Sequence, residues 1–280
     1  MIRRRQFIAQ LAGGLVAGSA LGRTRFGTAA GIGKIGLQLY TVRRELQKDF
    51  EGTLAQVAAI GYSEVEFAGY YDRSPQRVKG LLTRNNISAP SSHMQLPAMR
   101  QNLDKLIEAA KIIGHDYLVL AYLMPAERKT IDDFKQVAYS LNMAGETCSK
   151  AGITLAYHNH DFEFVPMGGD IPYNTLLKGT DPNLVKLELD LYWLTKAKQP
   201  VAEVLAKLKG RVPLVHIKDM DNTPKQFFTE VGRGIIDYKS LLAEAQRTGV
   251  KHFFVEQDEC PGSPLDSIKI SYDFLSHIRL

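Results

Sequence analysis

From residue 33 onward the chain repeats one pattern. Apolar residues recur at helical spacing, a glycine follows, and then comes a short apolar, β-branched or aromatic run. The clearest copies are LAQVAAIGYSEVEF, LIEAAKIIGHDYLVL, GETCSKAGITLAY and LAEAQRTGVKHFFVE. In these, Gly61, Gly114, Gly152 and Gly249 stand where a helix ends on a left-handed residue. The whole chain reads as eight strands, at 35–40, 64–67, 91–95, 117–121, 154–158, 186–190, 214–218 and 253–256. Helical patterns separate them, at 54–60, 103–113, 134–150, 202–208, 238–247 and 265–280. Such alternation implies parallel strands with right-handed crossovers, and eight units close into a (β/α)8 TIM barrel. A doubly wound open sheet would need a glycine-rich phosphate loop after an early strand, and no GxGxxG occurs at such a junction. No linker or low-complexity stretch divides the repeats, so residues 31–280 are expected to form one α/β domain.

Residues 1–30 differ in kind. Arg3, Arg4 and Arg5 run into the apolar, glycine-interrupted stretch Phe7–Leu21, and small residues follow up to Ala30. The run is too short to span a bilayer as a helix. With Arg4-Arg5-Gln6-Phe7-Ile8 it resembles a twin-arginine export signal, cleaved near Gly31, which implies a periplasmic or secreted protein with no stable membrane span after processing. This segment also corrects the charge balance. The chain holds 35 Lys+Arg against 30 Asp+Glu, and five arginines among residues 1–30, with no acidic partner, supply the whole surplus. The remainder is neutral, which argues against nucleic acid as a partner. Cys148 falls late in a predicted helix and Cys260 after a predicted strand, so two free thiols are expected.

Polar residues gather at the C-terminal ends of the predicted strands, where a barrel of this kind carries its active site. The first strand ends at Gln38 and Tyr40, the second carries Glu66 and the third His93. The fifth runs through His158 and His160 to Glu163, and the sixth carries Glu188 and Asp190, followed by Trp193. The seventh carries His216 and Lys218, and the eighth runs Glu256-Gln257-Asp258. Alternation sets His158 with His160, Glu188 with Asp190, and His216 with Lys218 on shared faces. Singly, each would be a hydrogen-bonded strand-end group. On consecutive strands they suit one divalent metal, Mn2+, Co2+, Zn2+ or Fe2+, because a shared cation satisfies several buried donors at once. His93 reads equally as a substrate contact or a packed imidazole, and Trp193 as a pocket wall or a packing residue. His115 and His252, at the opposite rim, read as structural, and His277 as solvated.

The segments GLQLYTVR, LAYHNHDFEF, LELDLYW, LVHIKD and FVEQDE, in this order on successive strands, resemble the sugar phosphate isomerase/epimerase superfamily of xylose-isomerase-like barrels over about residues 33–280. The resemblance implies a metal held by Asp190, His216, Glu256 and a fifth-strand group. That group is often Glu in the superfamily and falls on His158 here, with Glu163 as a less secure candidate. It further implies His160 as a substrate-facing histidine and Lys218 as a residue approaching substrate oxygens. Epimerases of the superfamily set two glutamates on opposite faces of the reacting carbon, and His158 leaves that pair incomplete.

The reading is therefore a secreted, metal-dependent sugar isomerase, epimerase or carbon–oxygen lyase acting on a free or oxidised (keto) sugar or glycoside. Glu256, or else His158 or His160, removes the proton, Lys218 stabilises the enolate charge, and Glu66, His93, Glu163, Glu188 and Trp193 contact substrate. An inosose-dehydratase-like dehydratase is the alternative within the superfamily; its endonuclease branch is disfavoured by the neutral charge. A periplasmic sugar or metal binder without catalysis is the alternative outside enzymology. The partner is a small-molecule sugar, and a homo-oligomer is compatible with this reading.

Overall fold

The computed structural model describes residues 31–280; the export segment expected at 1–30 lies outside the described residues. Eight strands form a closed, all-parallel barrel: β1 (Gly36–Gln38), β2 (Glu64–Phe67), β3 (Ser88–Met94), β4 (Tyr117–Leu120), β5 (Thr154–His158), β6 (Val185–Asp190), β7 (Leu214–Ile217) and, after a short hairpin of β8 (Asp219–Met220) and β9 (Phe228–Thr229), β10 (His252–Val255). Each of β2–β7 pairs with its sequence neighbours, and β10 closes the ring against β1 and β7. The expected (β/α)8 barrel is the fold. Among the described residues ten α-helices surround it: α1 (Arg43–Lys48), α2 (Phe50–Ile60), α3 (Pro75–Arg84), α4 (Leu96–Ile113), α5 (Ile131–Lys150), α6 (Pro172–Gly179), α7 (Leu191–Lys196), α8 (Val201–Lys207), α9 (Tyr238–Thr248) and α10 (Pro264–His277). Among the described residues no helix is long and apolar enough to cross a membrane.

Local chemistry sets these boundaries. Thr130 and Asp133 form a reciprocal cap at the start of α5, while Ser74 and Ser263 cap helices that open on proline. The four glycines expected to end helices all have positive φ. At Gly61 the need is also steric, because a Cβ would lie 2.4 Å from the Tyr272 ring. Strand β1 stops at Gln38, short of the expected Tyr40, because the Gln38 side chain accepts a hydrogen bond from Tyr40 N (3.0 Å) and turns the chain into a 3-10 helix.

Alternation sorts the side chains into three zones. Outward residues such as Leu37, Val65, Leu118, Leu155, Leu189, Val215 and Val255 are buried under the helices in the main core. Inward residues near the N-terminal end, namely Tyr117, Val119, Ala156, Leu214 and Phe254, make a separate apolar plug. Gly36 leaves room for that plug, since a Cβ there would sit 2.4 Å from the Phe254 ring. Above the plug, toward the C-terminal ends, the inward positions turn polar. The opposite rim holds the histidines expected to be structural. His115 bonds Ala89 O (2.5 Å) and Tyr70 Oη (3.0 Å), and His252 pairs with Glu64 (2.9 Å). His277 is exposed, and both cysteines are free thiols.

The hairpin β8–β9 was not legible in the sequence. It hangs on Asp219, whose buried carboxylate accepts from the backbone N–H of Met220 (2.8 Å), Gly232 (2.9 Å), Gly234 (3.0 Å) and Ile236 (3.2 Å). Any Cβ at Gly234 would lie 2.1 Å from Asp219 Oδ1. The Gly232-Arg233-Gly234 loop is thus wrapped around the protein's own carboxylate. Asp219→Ala strands several of these donors, and a loss of roughly 2–4 kcal/mol in urea unfolding is expected. A loss below about 0.5 kcal/mol, the size of an ordinary surface substitution, would contradict this role.

Candidate metal and active site

Parallel register delivers the polar groups to one layer. His158 aligns with Glu188 across β5 and β6, Asp190 with His216 across β6 and β7, and Gln38 with Glu66 across β1 and β2. Glu188 Oε2 is the centre of the layer. It lies 2.7 Å from His93 Nε2, 2.9 Å from His158 Nδ1 and 3.2 Å from His216 Nε2. Glu66 Oε2 accepts from Gln38 Nε2 (2.7 Å) and lies 3.0 Å from His93 Nε2 and 2.7 Å from His216 Nε2. His216 Nδ1 reaches Glu256 Oε2 at 2.8 Å. Lys218 Nζ then joins three carboxylates, at 2.9 Å from Asp190, 2.7 Å from Glu256 and 3.0 Å from Asp258. Asp190 is fixed by its second oxygen, which caps α7 by accepting from Trp193 N (3.0 Å), so Oδ2 faces the cluster.

Burial and mutual charge set the protonation pattern. Burial and the Glu66 charge push the Glu188 carboxyl up, but His216, His93 and His158 outweigh them and bring it down to about 2. The Glu256 carboxyl is likewise held far below its usual range, burial being overcome by Lys218 and His216. The same carboxylates lift His93 to about 10 and raise His216 strongly, against burial. His158 and His160 go the other way. Burial drives both well below the ordinary imidazole value, with His216 adding to it at His158 and Lys218 at His160. Burial lifts Asp258 to about 6 despite Lys218.

The donor set fits a divalent cation. His158, Asp190, His216 and Glu256 place one donor atom each within 4.8 Å of one another, and His93, His158, Glu188 and His216 form a second, overlapping group of the same size. Glu66 Oε1 and Glu188 Oε1 are buried without a hydrogen-bond partner. Buried carboxylate oxygens without partners are costly, and imidazole with carboxylate is the ligand mixture that Zn2+, Mn2+, Co2+ and Fe2+ accept.

Two groups lie at the edge of the layer. His160 follows β5 and packs its ring 5.0 Å from His158 and 5.3 Å from Trp193, and its Nδ1 is buried without a partner. Glu163 is not brought to the cluster. Its carboxylate accepts from Tyr157 Oη (2.7 Å) and from His160 N (2.9 Å), and Tyr157 belongs to the outward-facing core of β5. Glu163 therefore holds the loop that carries His160, and the structure supports no direct substrate contact or metal ligation by it. Gln38 and Asp258 complete the layer; alternation from Glu256 points to Asp258, whereas Gln38 is set beside Glu66 by the register of β1 on β2. Cavities of about 540 Å³ and 390 Å³ lie on the helical flank, and none of the cluster residues lines them.

Burial lifts the Glu163 carboxyl to about 7. A carboxyl raised on folding stabilises the fold at low pH, and that stability is lost as pH rises from the unfolded value near 4.3 through about 7. Glu163→Gln should remove a roughly 2–4 kcal/mol fall in stability between pH 5 and pH 8, read from urea midpoints. Parallel profiles for the two proteins would refute it.

The chain is thus a closed parallel barrel with a polar, metal-fitting layer at the C-terminal ends of its strands. The sequence profile described as xylose isomerase-like TIM barrel matches residues 54–277, and the chain belongs to that family. Inosose dehydratase of Lacticaseibacillus casei is 22% identical over 264 residues, spanning 79% of this chain and 88% of its own. The crystal structure of a sugar phosphate isomerase/epimerase from Parabacteroides distasonis superposes with a TM-score of 0.72 at 26% identity, covering 89% of this chain and 94% of that one. The IOLI protein, solved with a bound zinc atom, shares the fold at 17% identity with a TM-score of 0.69, over 88% of this chain and 99% of its own.

Proposed function

We propose that the protein is a divalent-metal-dependent enzyme that removes a proton next to a carbonyl of a free or oxidised sugar or glycoside, leading to isomerisation, epimerisation or loss of a β-leaving group. The observation that carries this reading is the convergence of His158, Asp190, His216 and Glu256 on one point, with Lys218 beside it. These four residues would hold the metal, which when bound polarises substrate oxygens. Glu256 is kept ionised by Lys218 and His216 and takes up the substrate proton. Lys218 stabilises the charge that then develops on oxygen. His160, neutral and with a free Nδ1, hydrogen-bonds a substrate hydroxyl.

A dehydratase is the second reading, favoured by the inosose dehydratase relative and by His158 in place of a second glutamate. In that reaction Glu256 accepts the proton from carbon and returns it to the departing hydroxyl, so that C–H and C–O break, C=C forms and water leaves. The zinc reported with the IOLI protein supports a metal without fixing its identity. The test is incubation of metal-loaded protein with free sugars and 3-keto-glycosides in D2O. Isomerised or epimerised product is expected to carry deuterium at the carbon next to the carbonyl, and a product that has lost a leaving group to have lost the hydrogen of that carbon; turnover with that hydrogen retained at its carbon sinks the reading.

Twin-arginine export is part of the proposal, resting on the leader of residues 1–30. Lys in place of Arg4 and Arg5 is expected to retain the precursor in the cytoplasm. Undiminished periplasmic protein after that change, seen on fractionation, removes the twin-arginine route.

A further inference from the structure

His158 and His216 each divide their ring nitrogens between two sets of carboxylates. His158 Nδ1 lies 2.9 Å from Glu188 Oε2, while its Nε2 stands 3.6 Å from Asp190 Oδ2. His216 Nε2 lies 2.7 Å from Glu66 Oε2 and 3.2 Å from Glu188 Oε2, while its Nδ1 meets Glu256 Oε2 at 2.8 Å. All six side chains are buried. A neutral imidazole carries one N–H and one lone pair, and the lone pair is what a metal takes. Which nitrogen offers it depends on the bond the other nitrogen makes.

The Glu66 and Glu188 side is an acceptor side. Gln38 Oε1 accepts from Tyr40 N at 3.0 Å, which orients the amide so that Nε2 donates to Glu66 Oε2 at 2.7 Å. That oxygen then accepts from the His216 nitrogen facing it. His93 Nε2 lies 2.7 Å from Glu188 Oε2 and 3.0 Å from Glu66 Oε2, so one ring nitrogen ties the two carboxylates together. The Asp190 side is looser. The 3.6 Å from His158 Nε2 to Asp190 Oδ2 is beyond hydrogen-bond reach. Asp190 Oδ2 itself meets the Lys218 charge at 2.9 Å and makes no hydrogen bond.

We infer that Glu188 and Glu66 are positioning residues: they hold the ring hydrogen of His158 on Nδ1 and of His216 on Nε2, so that a metal is taken by His158 Nε2 and His216 Nδ1. This rests on the metal site proposed above, and it replaces the expected substrate contact by Glu66 and Glu188. Carboxylates behind metal-binding histidines fix the tautomer and raise the basicity of the ring, and their loss weakens metal binding about 10–100-fold.

The test loads the full protein, carrying isotope-labelled histidine, with Cd2+ and reads by nuclear magnetic resonance which ring nitrogens couple to the metal. Coupling is expected at His158 Nε2 and His216 Nδ1, with hydrogens on His158 Nδ1 and His216 Nε2 and no coupling at His93. Glu188→Ala and Glu66→Ala, checked for native unfolding, should bind Zn2+ about 10–100-fold more weakly in competition with a chromogenic chelator, yet still saturate at a single ion. In Glu188→Ala the His158 hydrogen is no longer fixed, and cadmium coupling should appear at Nδ1 as well as Nε2. A merely structural role would lower stability and leave the coupling pattern unchanged. The wild-type spectrum decides the matter even if a variant does not fold. Coupling at His158 Nδ1, His216 Nε2 or either His93 nitrogen in the wild-type protein overturns the inference, as does Zn2+ affinity in both variants within about twofold of wild type. The two readings fail separately. A wild-type protein that binds no metal removes the metal site itself; metal on the other nitrogens removes only the tautomer assignment. The expected couplings without C–H cleavage in any sugar remove the reaction and keep the positioning roles.

Discussion

His216→Ala is expected to strip the protein of its metal. Its two ring nitrogens face both halves of the polar layer, Nδ1 toward Glu256 and Nε2 toward Glu66 and Glu188, and it belongs to both donor groups. Loss of a residue that only supports a ligand weakens metal binding about 10–100-fold, and loss of a ligand itself should exceed that. Elemental analysis after desalting should fall from about one metal per chain to about a tenth or less. Full occupancy in the variant would sink the site. The change also leaves three buried carboxylates without their shared imidazole, which destabilises by roughly 3–5 kcal/mol, so native unfolding must be verified in parallel. His158→Asn and Glu163→Gln separate the candidates on the fifth strand. His158→Asn should lose metal, whereas Glu163→Gln, whose side chain bonds Tyr157 and His160 N, should keep it.

The division between what the sequence showed and what it hid follows from geometry. Most of the barrel strands were legible as short apolar runs after a glycine that takes positive φ, namely Gly33, Gly61, Gly114, Gly152, Gly210 and Gly249, whereas β3 follows Asn86, also of positive φ, and β6 follows no such residue. The cluster was legible because alternation within a strand is strict: Glu188 with Asp190 and His216 with Lys218 face inward together. Alternation fails where the strand ends. Glu163 lies beyond β5 in a 3-10 turn, so its distance from His158 in the sequence said nothing about its direction. The hairpin depends on one carboxylate meeting N–H groups 13 to 17 residues away, a contact with no local signature. Closure of the ring brings Glu66 of β2 within 2.7 Å of His216 of β7, a pairing that only the finished barrel creates.

The largest kinetic effect is expected from Glu256→Gln. Glu256 follows β10, where its Oε2 is engaged by His216 at 2.8 Å and Lys218 at 2.7 Å, leaving Oε1 to receive a proton. Its carboxyl stays ionised throughout the neutral range because those two cations outweigh burial. The amide keeps the shape but cannot accept a proton, and a positioned base contributes roughly 10²–10⁴-fold. Exchange of the proton next to the carbonyl in D2O should therefore slow by about that factor, even in protein whose metal content is preserved. Substrate affinity, read from Trp193 emission, should change far less, because the amide keeps the size and shape of the side chain. Lys218→Met gives the contrast. It removes the charge that stabilises the developing oxyanion, at a cost of about 10²–10³-fold if that role resembles other oxyanion donors, and it also unpairs Asp190, Glu256 and Asp258. Its Glu256 carboxyl should consequently be harder to ionise, moving the acid limb of the exchange rate to higher pH. Glu256→Gln, lacking the titrating group, should show no such limb. If Glu256→Gln retains wild-type exchange, the base lies elsewhere. His160 is then the next residue to replace, since its neutral ring packs on Trp193 and its Nδ1 is unpartnered.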